Sequence, residues 1–262
     1  MRRCIATAVA LLWVAATPGP APGQAVPDAR LQQLMAAYPE ALKAIEGNAL
    51  VWRDGARMTI DDGAGVKSFD AWLASPDIKD MLAKPYLVGA PFAVPGVNDD
   101  PGRARNAAFF DKLYGDCTKG DVIANLVDVV WLPSKHGKTL KVNARHGAAE
   151  HLRAVSQRID ALPASFDAFL LPPAGTYNCR PIAGTDRVSA HGHGIAIDIA
   201  VRHAHYWRWT AQRRGVVTYR NAIPPEIVAA FEAEGFIWGG RWHHYDTMHF
   251  EYRPELAPPR SP

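Results

Sequence analysis

The spacing of apolar residues in the first 105 positions predicts one helix, a short hairpin and an irregular connection. Over residues 26–47 the apolar positions recur at three- and four-residue steps, as on one face of an amphipathic helix. Residues 50–52 and 58–60 are two short apolar runs on either side of an Asp-Gly pair, which is typical of a β-hairpin. Five prolines interrupt residues 75–103, so we expect an extended connection there.

The remaining residues mix short apolar strands with amphipathic helices. Helices are predicted at residues 106–114, 146–162 and 224–235, and strands at residues 126–132, 139–142, 195–201 and 248–252. Because strands and helices do not alternate regularly, the pattern favours an α+β fold over a doubly wound parallel sheet.

The first apolar run, residues 4–16, has the features of a secretory signal peptide. It follows two arginines and precedes small and proline-rich residues up to position 25, and it is shorter than the roughly 20 apolar residues of a membrane span. Loss of Arg2 and Arg3 would lower the formal charge from +3 to +1. We therefore expect a signal peptide at residues 1–25, an N-terminal extension at 26–105 and a catalytic domain at 106–262. The mature protein is expected to be periplasmic or extracellular, without stable membrane insertion.

Composition narrows the function classes further. A chain that is 48% hydrophobic and 21% charged is neither disordered nor fibrous. Its basic residues are interspersed with acidic ones, so we expect no nucleic-acid partner. Two cysteines, Cys117 and Cys179, remain after the signal peptide, and in an oxidising compartment they can form one disulfide; two buried free thiols are the alternative. The sequence does not indicate an oligomeric state.

Candidate metal chemistry lies in two histidine-rich segments, residues 191–193 and 243–249. Between them Asp198 stands in an apolar strand, where an unpaired carboxylate would cost several kcal/mol, so it must be paired, hydrogen-bonded or metal-bound. Together His191, Asp198 and His249 offer two nitrogens and a carboxylate. This donor set suits a catalytic zinc ion with an open position for water.

Hydrolysis at such a site needs a carboxylate that takes a proton from water and returns it to the leaving amine. Asp246 lies three residues before His249 and can face the same cavity. Glu251 is the alternative, because two residues along a strand return to the same face.

Two motifs give the chain a family resemblance. Residues 189–198 (SAHGHGIAID) fit the pattern S-x-H-x-x-G-x-A-x-D, the pair Asp246-x-x-His249 follows, and Trp-Gly-Gly at 238–240 lies between them. The chain resembles the D-alanyl-D-alanine carboxypeptidase-like zinc metallopeptidases, a group with D,D-carboxypeptidases, D,D-dipeptidases and L-alanyl-D-glutamate endopeptidases. The resemblance covers residues 166–255 and weakens back to residue 103. It implies a hedgehog-like fold, with a small, mainly antiparallel sheet flanked by helices.

The resemblance also implies roles for individual residues. It makes His191, Asp198 and His249 the ligands of one Zn²⁺ ion and Asp246 the general base. The motif assigns no ligand to His193.

The resemblance also implies that three further residues contact the substrate. Arg180 corresponds to the arginine that holds the substrate and stabilises the oxyanion, and a disulfide at Cys179 would fix its loop. Ser189 and Tyr177 are expected to bind substrate, although Ser189 can alternatively cap a turn. Some relatives have Glu at the position of Asp246, so the acid of this chain is shorter than theirs.

The sequence thus predicts an exported zinc peptidase that hydrolyses an amide bond in peptidoglycan stem peptides. A D-alanyl-D-alanine carboxypeptidase is favoured, and an L-alanyl-D-glutamate endopeptidase comes next. The alternative from another class is a non-catalytic, zinc-stabilised module that binds cell wall or a protein.

Overall fold

The architecture follows from three separate antiparallel pairings of short strands. The computed structural model describes residues 29–89, 91–214 and 217–259, so the predicted signal peptide at 1–25 lies outside the described residues. Within them, eight α-helices pack around sheets of three, two and three strands. The predicted α+β class is confirmed, with three small sheets in place of one. Across the same residues, no helix combines the length and apolar character needed to cross a membrane.

The helices are α1 (Ala29–Ala37), α2 (Phe69–Ala74), α3 (Ile78–Leu82), α4 (Ala107–Tyr114), α5 (Ala148–Asp160), α6 (Asp167–Leu170), α7 (Trp207–Arg214) and α8 (Pro225–Ala233). The strands are β1 (Leu42–Glu46), β2 (Ala49–Trp52), β3 (Arg57–Thr59), β4 (Leu126–Trp131), β5 (Lys138–Asn143), β6 (Ala196–Asp198), β7 (Phe236–Trp238) and β8 (His249–Tyr252).

The predicted helix over residues 26–47 is wrong in its second half. Helix α1 ends at Ala37, and β1 pairs antiparallel with β2, with Ile45 opposite Leu50. Gly47 makes the turn between them with a positive φ of 59°, a conformation that favours glycine. Pairing with β2 and burial of Leu42 outweigh the helical spacing, because strand formation depends on neighbours that a local pattern does not show.

The other elements lie close to their predicted positions. The hairpin at 50–60 is confirmed as β2 and β3. The connection at 75–103 contains a helix that was not predicted, α3, which starts with a capping box between Asp77 and Asp80. The described residues from 83 to 106 hold neither helix nor strand.

One hydrophobic core joins the N-terminal residues to the rest of the chain. It extends from Leu34 of α1 to Ala257 near the C-terminal end of the described residues. Buried polar contacts cross the same interface, since the Tyr38 hydroxyl donates to Glu255 and the Tyr86 hydroxyl donates to Glu232, both at 2.7 Å. The division at 105/106 stays a prediction.

The third sheet, β6-β8-β7, positions the histidine-rich segments. Its central strand is β8, which pairs antiparallel with β6 on one side and β7 on the other. The register places Asp198 directly opposite His249. The strand predicted at 195–201 is therefore shorter than expected, but it carries Asp198 to the position where it meets the second segment.

Candidate metal centre

Three donor atoms from the two predicted segments converge at one point. His191 Nε2 lies 3.2 Å from His249 Nδ1 and 3.2 Å from Asp198 Oδ2, and His249 Nδ1 lies 3.0 Å from Asp198 Oδ1. Ligand atoms around tetrahedral zinc, with bonds of 2.0–2.1 Å, are separated by about 3.3 Å. The spacing of the three donors therefore fits a zinc ion.

Local structure accounts for this convergence. Strand register brings Asp198 and His249 together, and His191 sits in a 3-10 turn at Ala190–His193. The Ser189 hydroxyl caps that turn by accepting the His191 N–H at 3.4 Å. The backbone carbonyl of His191 accepts from the Asn178 N–H at 3.1 Å. The capping alternative for Ser189 is thus realised, and its side chain also lines the cavity described below.

The outer nitrogen of each histidine has a hydrogen-bond acceptor. His191 Nδ1 donates to the Thr176 carbonyl, and His249 Nε2 donates to the Glu251 carboxylate at 3.2 Å. A neutral imidazole with one nitrogen protonated presents a lone pair on the other. If both rings are neutral, two lone pairs face each other across 3.2 Å, an arrangement that a proton or a metal cation between them stabilises.

The electrostatics of the centre also favour a positive charge between these groups. Burial disfavours a charged imidazole, yet hydrogen bonds to Asp198 and Glu251 raise the pKa of His249 to about 10. Burial would raise the pKa of Asp198, but hydrogen bonds from His191 and His249 hold it well below its usual range. The site thus favours a bound positive charge, which a divalent metal ion supplies with bonds of suitable length.

Asp246 lies beside the three donors without a partner for one of its oxygens. Its Oδ1 is buried and has no hydrogen bond among the residues that the structure describes. Burial first, and then the charge of Asp198, raise the pKa of Asp246 to about 6. Its backbone N–H donates to the Gly239 carbonyl at 3.0 Å, and a Cβ at Gly239 would lie 2.5 Å from the Asp246 carbonyl oxygen. Glycine at 239 therefore allows this approach.

Glu251 lies on the far side of the His249 ring. It is fully buried, and its carboxylate accepts from Arg105 at 2.9 and 3.1 Å, from Arg253 at 2.8 Å and from His249 Nε2. Burial would raise its pKa, but the charge of Arg105 and the hydrogen bond from His249 lower the pKa strongly. This geometry fixes the orientation of the His249 ring through Glu251, as acids commonly do for metal-binding histidines.

A cavity of about 280 Å³ opens next to the donors and brings together most of the predicted residues. Asp198, His249, Asp246, Ser189 and Arg180 all line it. His191 lies behind them, 4% exposed, and contacts the other two donors. Tyr177 is not among the described residues that line the cavity, so its contact with substrate stays a prediction.

Sequence reasoning missed the arginines that reach this cavity from the N-terminal side. Arg103 and Arg105 both line it. The Arg103 guanidinium lies over the Trp242 ring at 5.6 Å, and its contacts to Asp100 and the His244 carbonyl are long, at 3.4 Å each. The residues have no local signal, since they lie in the proline-rich connection, far in sequence from both motifs.

Cys117 and Cys179 form a disulfide, so the predicted pairing is confirmed and the free-thiol alternative is wrong. The bond ties the turn after α4 to the segment that runs past His191. Arg180 follows directly and is exposed, with one long contact from its guanidinium to the Pro181 carbonyl at 3.4 Å. Disulfides of this kind are typical of oxidising compartments.

Comparison with known proteins agrees with this geometry. A family model described as D-alanyl-D-alanine carboxypeptidase, of the M15 peptidases, matches residues 183–252. The matched range contains all three donors, Asp246 and Ser189, whereas Arg180 and Tyr177 precede it. Searches of curated proteins and of solved structures gave no match. Residues 183–252 are therefore similar to the D-alanyl-D-alanine carboxypeptidase family, a peptidase family of the zinc-dependent type.

Proposed function

We propose that this protein is an exported zinc peptidase that hydrolyses an amide bond in the stem peptides of peptidoglycan. In this proposal His191, Asp198 and His249 hold one Zn²⁺ ion, and Asp246 is the general base. The observation that carries the proposal is the convergence of three metal-binding atoms beside a buried carboxylate oxygen without a partner. The disulfide and the signal-peptide pattern support export.

The chemistry divides between the metal and the residues around it. Zinc in such a site supplies Lewis acidity, which polarises a carbonyl oxygen and lowers the pKa of water. Asp246 Oδ1 accepts the proton of the attacking water and later gives it to the leaving amine. Its backbone hydrogen bond to Gly239 holds the loop while the proton moves.

The arginines of the cavity act on the substrate. Arg180 is proposed to stabilise negative charge on the carbonyl oxygen, because a guanidinium in a partly closed cavity offsets charge that develops in the transition state. Ser189 and Tyr177 are proposed to contact the peptide. Arg105 is unsuited to this part, since Glu251 already accepts from its guanidinium.

Two guanidinium groups in one cavity, those of Arg180 and Arg103, favour a substrate with a free carboxylate beside the bond that is cut. Arg180 and Arg103 both line the cavity, and the hydrogen bonds of each are 3.4 Å long. A terminal D-alanyl-D-alanine bond has such a carboxylate next to the bond that is cut, and an L-alanyl-γ-D-glutamate bond has one in the same position, so the two arginines suit both substrates. We place carboxypeptidase activity first, because the matched family model has that description, and endopeptidase activity second.

The alternative of a non-catalytic module has weaker support. A protein that only binds wall or partner has no physical need for a half-buried carboxylate without a partner beside the metal donors. Asp246 is such a group, and its pKa is raised by burial.

The direct test is incubation of the zinc-loaded protein with purified muropeptides, followed by mass spectrometry. Loss of one alanine supports the carboxypeptidase, and release of a larger fragment identifies the endopeptidase. A zinc-loaded Asp246→Asn variant is the matched control and should give no product. A wild-type protein that binds zinc and cleaves no wall peptide would overturn the proposal in favour of the binding module.

A further inference from the structure

A second cavity lies next to the first and shares one arginine with it. Its volume is about 250 Å³, and it is lined by Arg105, Arg187, Ser75, Pro76, Ala107 and His193 among others. Arg105 also lines the cavity of the metal centre, and the neighbours Val188 and Ser189 line one cavity each. The second cavity is therefore adjacent to the site where a substrate would be cut.

Arg187 lines this cavity with a guanidinium that has no partner among the residues that the structure describes. Its side chain is half-buried, and no hydrogen bond or ion pair of its guanidinium occurs within residues 29–89, 91–214 and 217–259. Burial, followed by the positive charges of Arg105 and Arg103, lowers the pKa of Arg187 to about 10. Nearby acids do not balance this charge, because Glu251 accepts from Arg105, Arg253 and His249, and Asp100 accepts from His244 at 2.6 Å.

An unpaired guanidinium among like charges destabilises the fold unless it binds an anion. The planar fork of an arginine matches a carboxylate in geometry and charge. The first two residues of α4, Ala107 and Ala108, line the same cavity, so the positive end of this eight-residue helix adds to the attraction. Each contribution favours a negatively charged ligand.

We propose that the second cavity binds a carboxylate of an acidic peptide substrate, away from the bond that is cleaved, and that Arg187 is the residue that recognises it. The inference rests on the proposed peptidase function and adds a preference for substrates that carry a side carboxylate. Arg105 lies between the two cavities and is held in place by Glu251.

The test compares two synthetic peptides that differ in one charge. One is L-Ala-γ-D-Glu-L-Lys-D-Ala-D-Ala, and the other has the free carboxylate of its D-Glu converted to the neutral amide. In the zinc-loaded protein we expect Arg187→Gln to raise KM for the carboxylate peptide about tenfold, the loss expected for a charge-assisted hydrogen bond. KM for the amide and kcat for both peptides should change little, and Arg187→Lys should restore part of the preference.

The matched control is Arg153→Gln, which removes the same charge from the exposed face of α5. It should leave the preference unchanged. Thermal unfolding provides a second readout, because removal of a crowded positive charge should leave the melting temperature equal or higher. Equal KM values for both peptides in the wild type, or a preference that persists in Arg187→Gln, would overturn the inference.

Failure of the peptidase proposal can be distinguished from failure of the proposed carboxylate site. If the wild type cleaves neither peptide, calorimetric binding of both peptides to the wild-type protein decides the question without turnover. Tighter binding of the carboxylate peptide that is lost in Arg187→Gln would support the carboxylate site. Equal binding of the two peptides would reject it.

Discussion

The two sides of the His249 ring differ in how completely their acids are paired. On the far side, Glu251 is fully buried and accepts hydrogen bonds from two arginines and from the ring. On the cavity side, Asp246 has a buried oxygen with no partner among the described residues. Both acids are within three residues of His249 in sequence, so spacing alone does not separate them.

This difference separates the roles of the two acids near His249. A saturated carboxylate fixes the orientation and proton position of a metal-binding imidazole. A carboxylate without a partner is free to accept a proton. We infer that Glu251 has the first role and Asp246 the second.

The largest expected effect comes from loss of His249, the residue that lies between the two acids. His249→Ala removes one of the three donors, so we expect loss of bound zinc and a fall in kcat/KM of about a thousandfold or more. Zinc content by plasma mass spectrometry and hydrolysis of a wall peptide measure both effects. His136→Ala, between β4 and β5, is the matched control and should keep both. An active variant without zinc would be incompatible with the account.

Loss of the cavity-side acid should separate metal binding from turnover. Asp246→Asn keeps the size of the side chain but does not accept the proton, so kcat should fall by about a hundredfold or more while zinc stays bound. Parallel zinc and rate measurements test this. Asp128→Asn on the exposed face of β4 serves as the control for loss of one carboxylate. Turnover near the wild-type rate would reject Asp246 as the base.

Loss of Glu251, the acid on the far side of the ring, should weaken zinc binding while turnover is largely kept. Glu251→Gln weakens the orientation of His249, and we expect zinc affinity to fall by about tenfold to a hundredfold. It also leaves Arg105 and Arg253 with less compensating charge in a buried position, which should lower the melting temperature. At saturating zinc, kcat should stay within about tenfold of the wild type, whereas a loss as large as that of Asp246→Asn would reverse the two roles.

The rate should depend on pH with a defined sign. Burial and Asp198 raise the pKa of Asp246 to about 6, and a bound cation favours the carboxylate and lowers that pKa. The proton-accepting form exists above the pKa, so kcat/KM should fall as the pH decreases, with its inflection at pH 6 or lower. A steady-state pH profile measures this, and a rate that rises from pH 6 to pH 5 would contradict it.

The smallest effect is expected from the loop that carries Asp246, the proposed base. Gly239→Ala places a Cβ 2.5 Å from the Asp246 carbonyl oxygen, so the loop must shift. We expect a several-fold lower kcat with zinc retained, because small displacements of a catalytic group reduce its efficiency. Gly96→Ala, whose Cβ would meet no atom within 4 Å, is the control and should leave kcat unchanged.

The convergence of His191, Asp198 and His249 could be predicted from sequence because local rules determine their placement. An acid in an apolar strand and two histidines in fixed motifs are visible in a single chain, and strand register then places Asp198 opposite His249. Residues 42–46 show where local rules fail, because helical spacing there yields to pairing with the next strand.

The arginines could not be predicted in the same way. Arg105 contacts Glu251 across 146 residues of sequence, and its own segment is an irregular, proline-rich connection. Arg187 precedes the first motif by two residues, yet its lack of a partner is a property of the folded surroundings. Which of the two acids near His249 is paired likewise depends on Arg105 and Arg253, and only the fold brings them there.

The most direct measurement of the central claim is zinc-edge X-ray absorption on the purified protein. The account predicts one zinc per chain with a shell of nitrogen and oxygen only, at about 2.0–2.1 Å, including two imidazoles. In His191→Ala the zinc should be lost. A sulfur ligand in the shell, or zinc that stays bound in His191→Ala with an unchanged spectrum, would contradict the assignment of His191, Asp198 and His249.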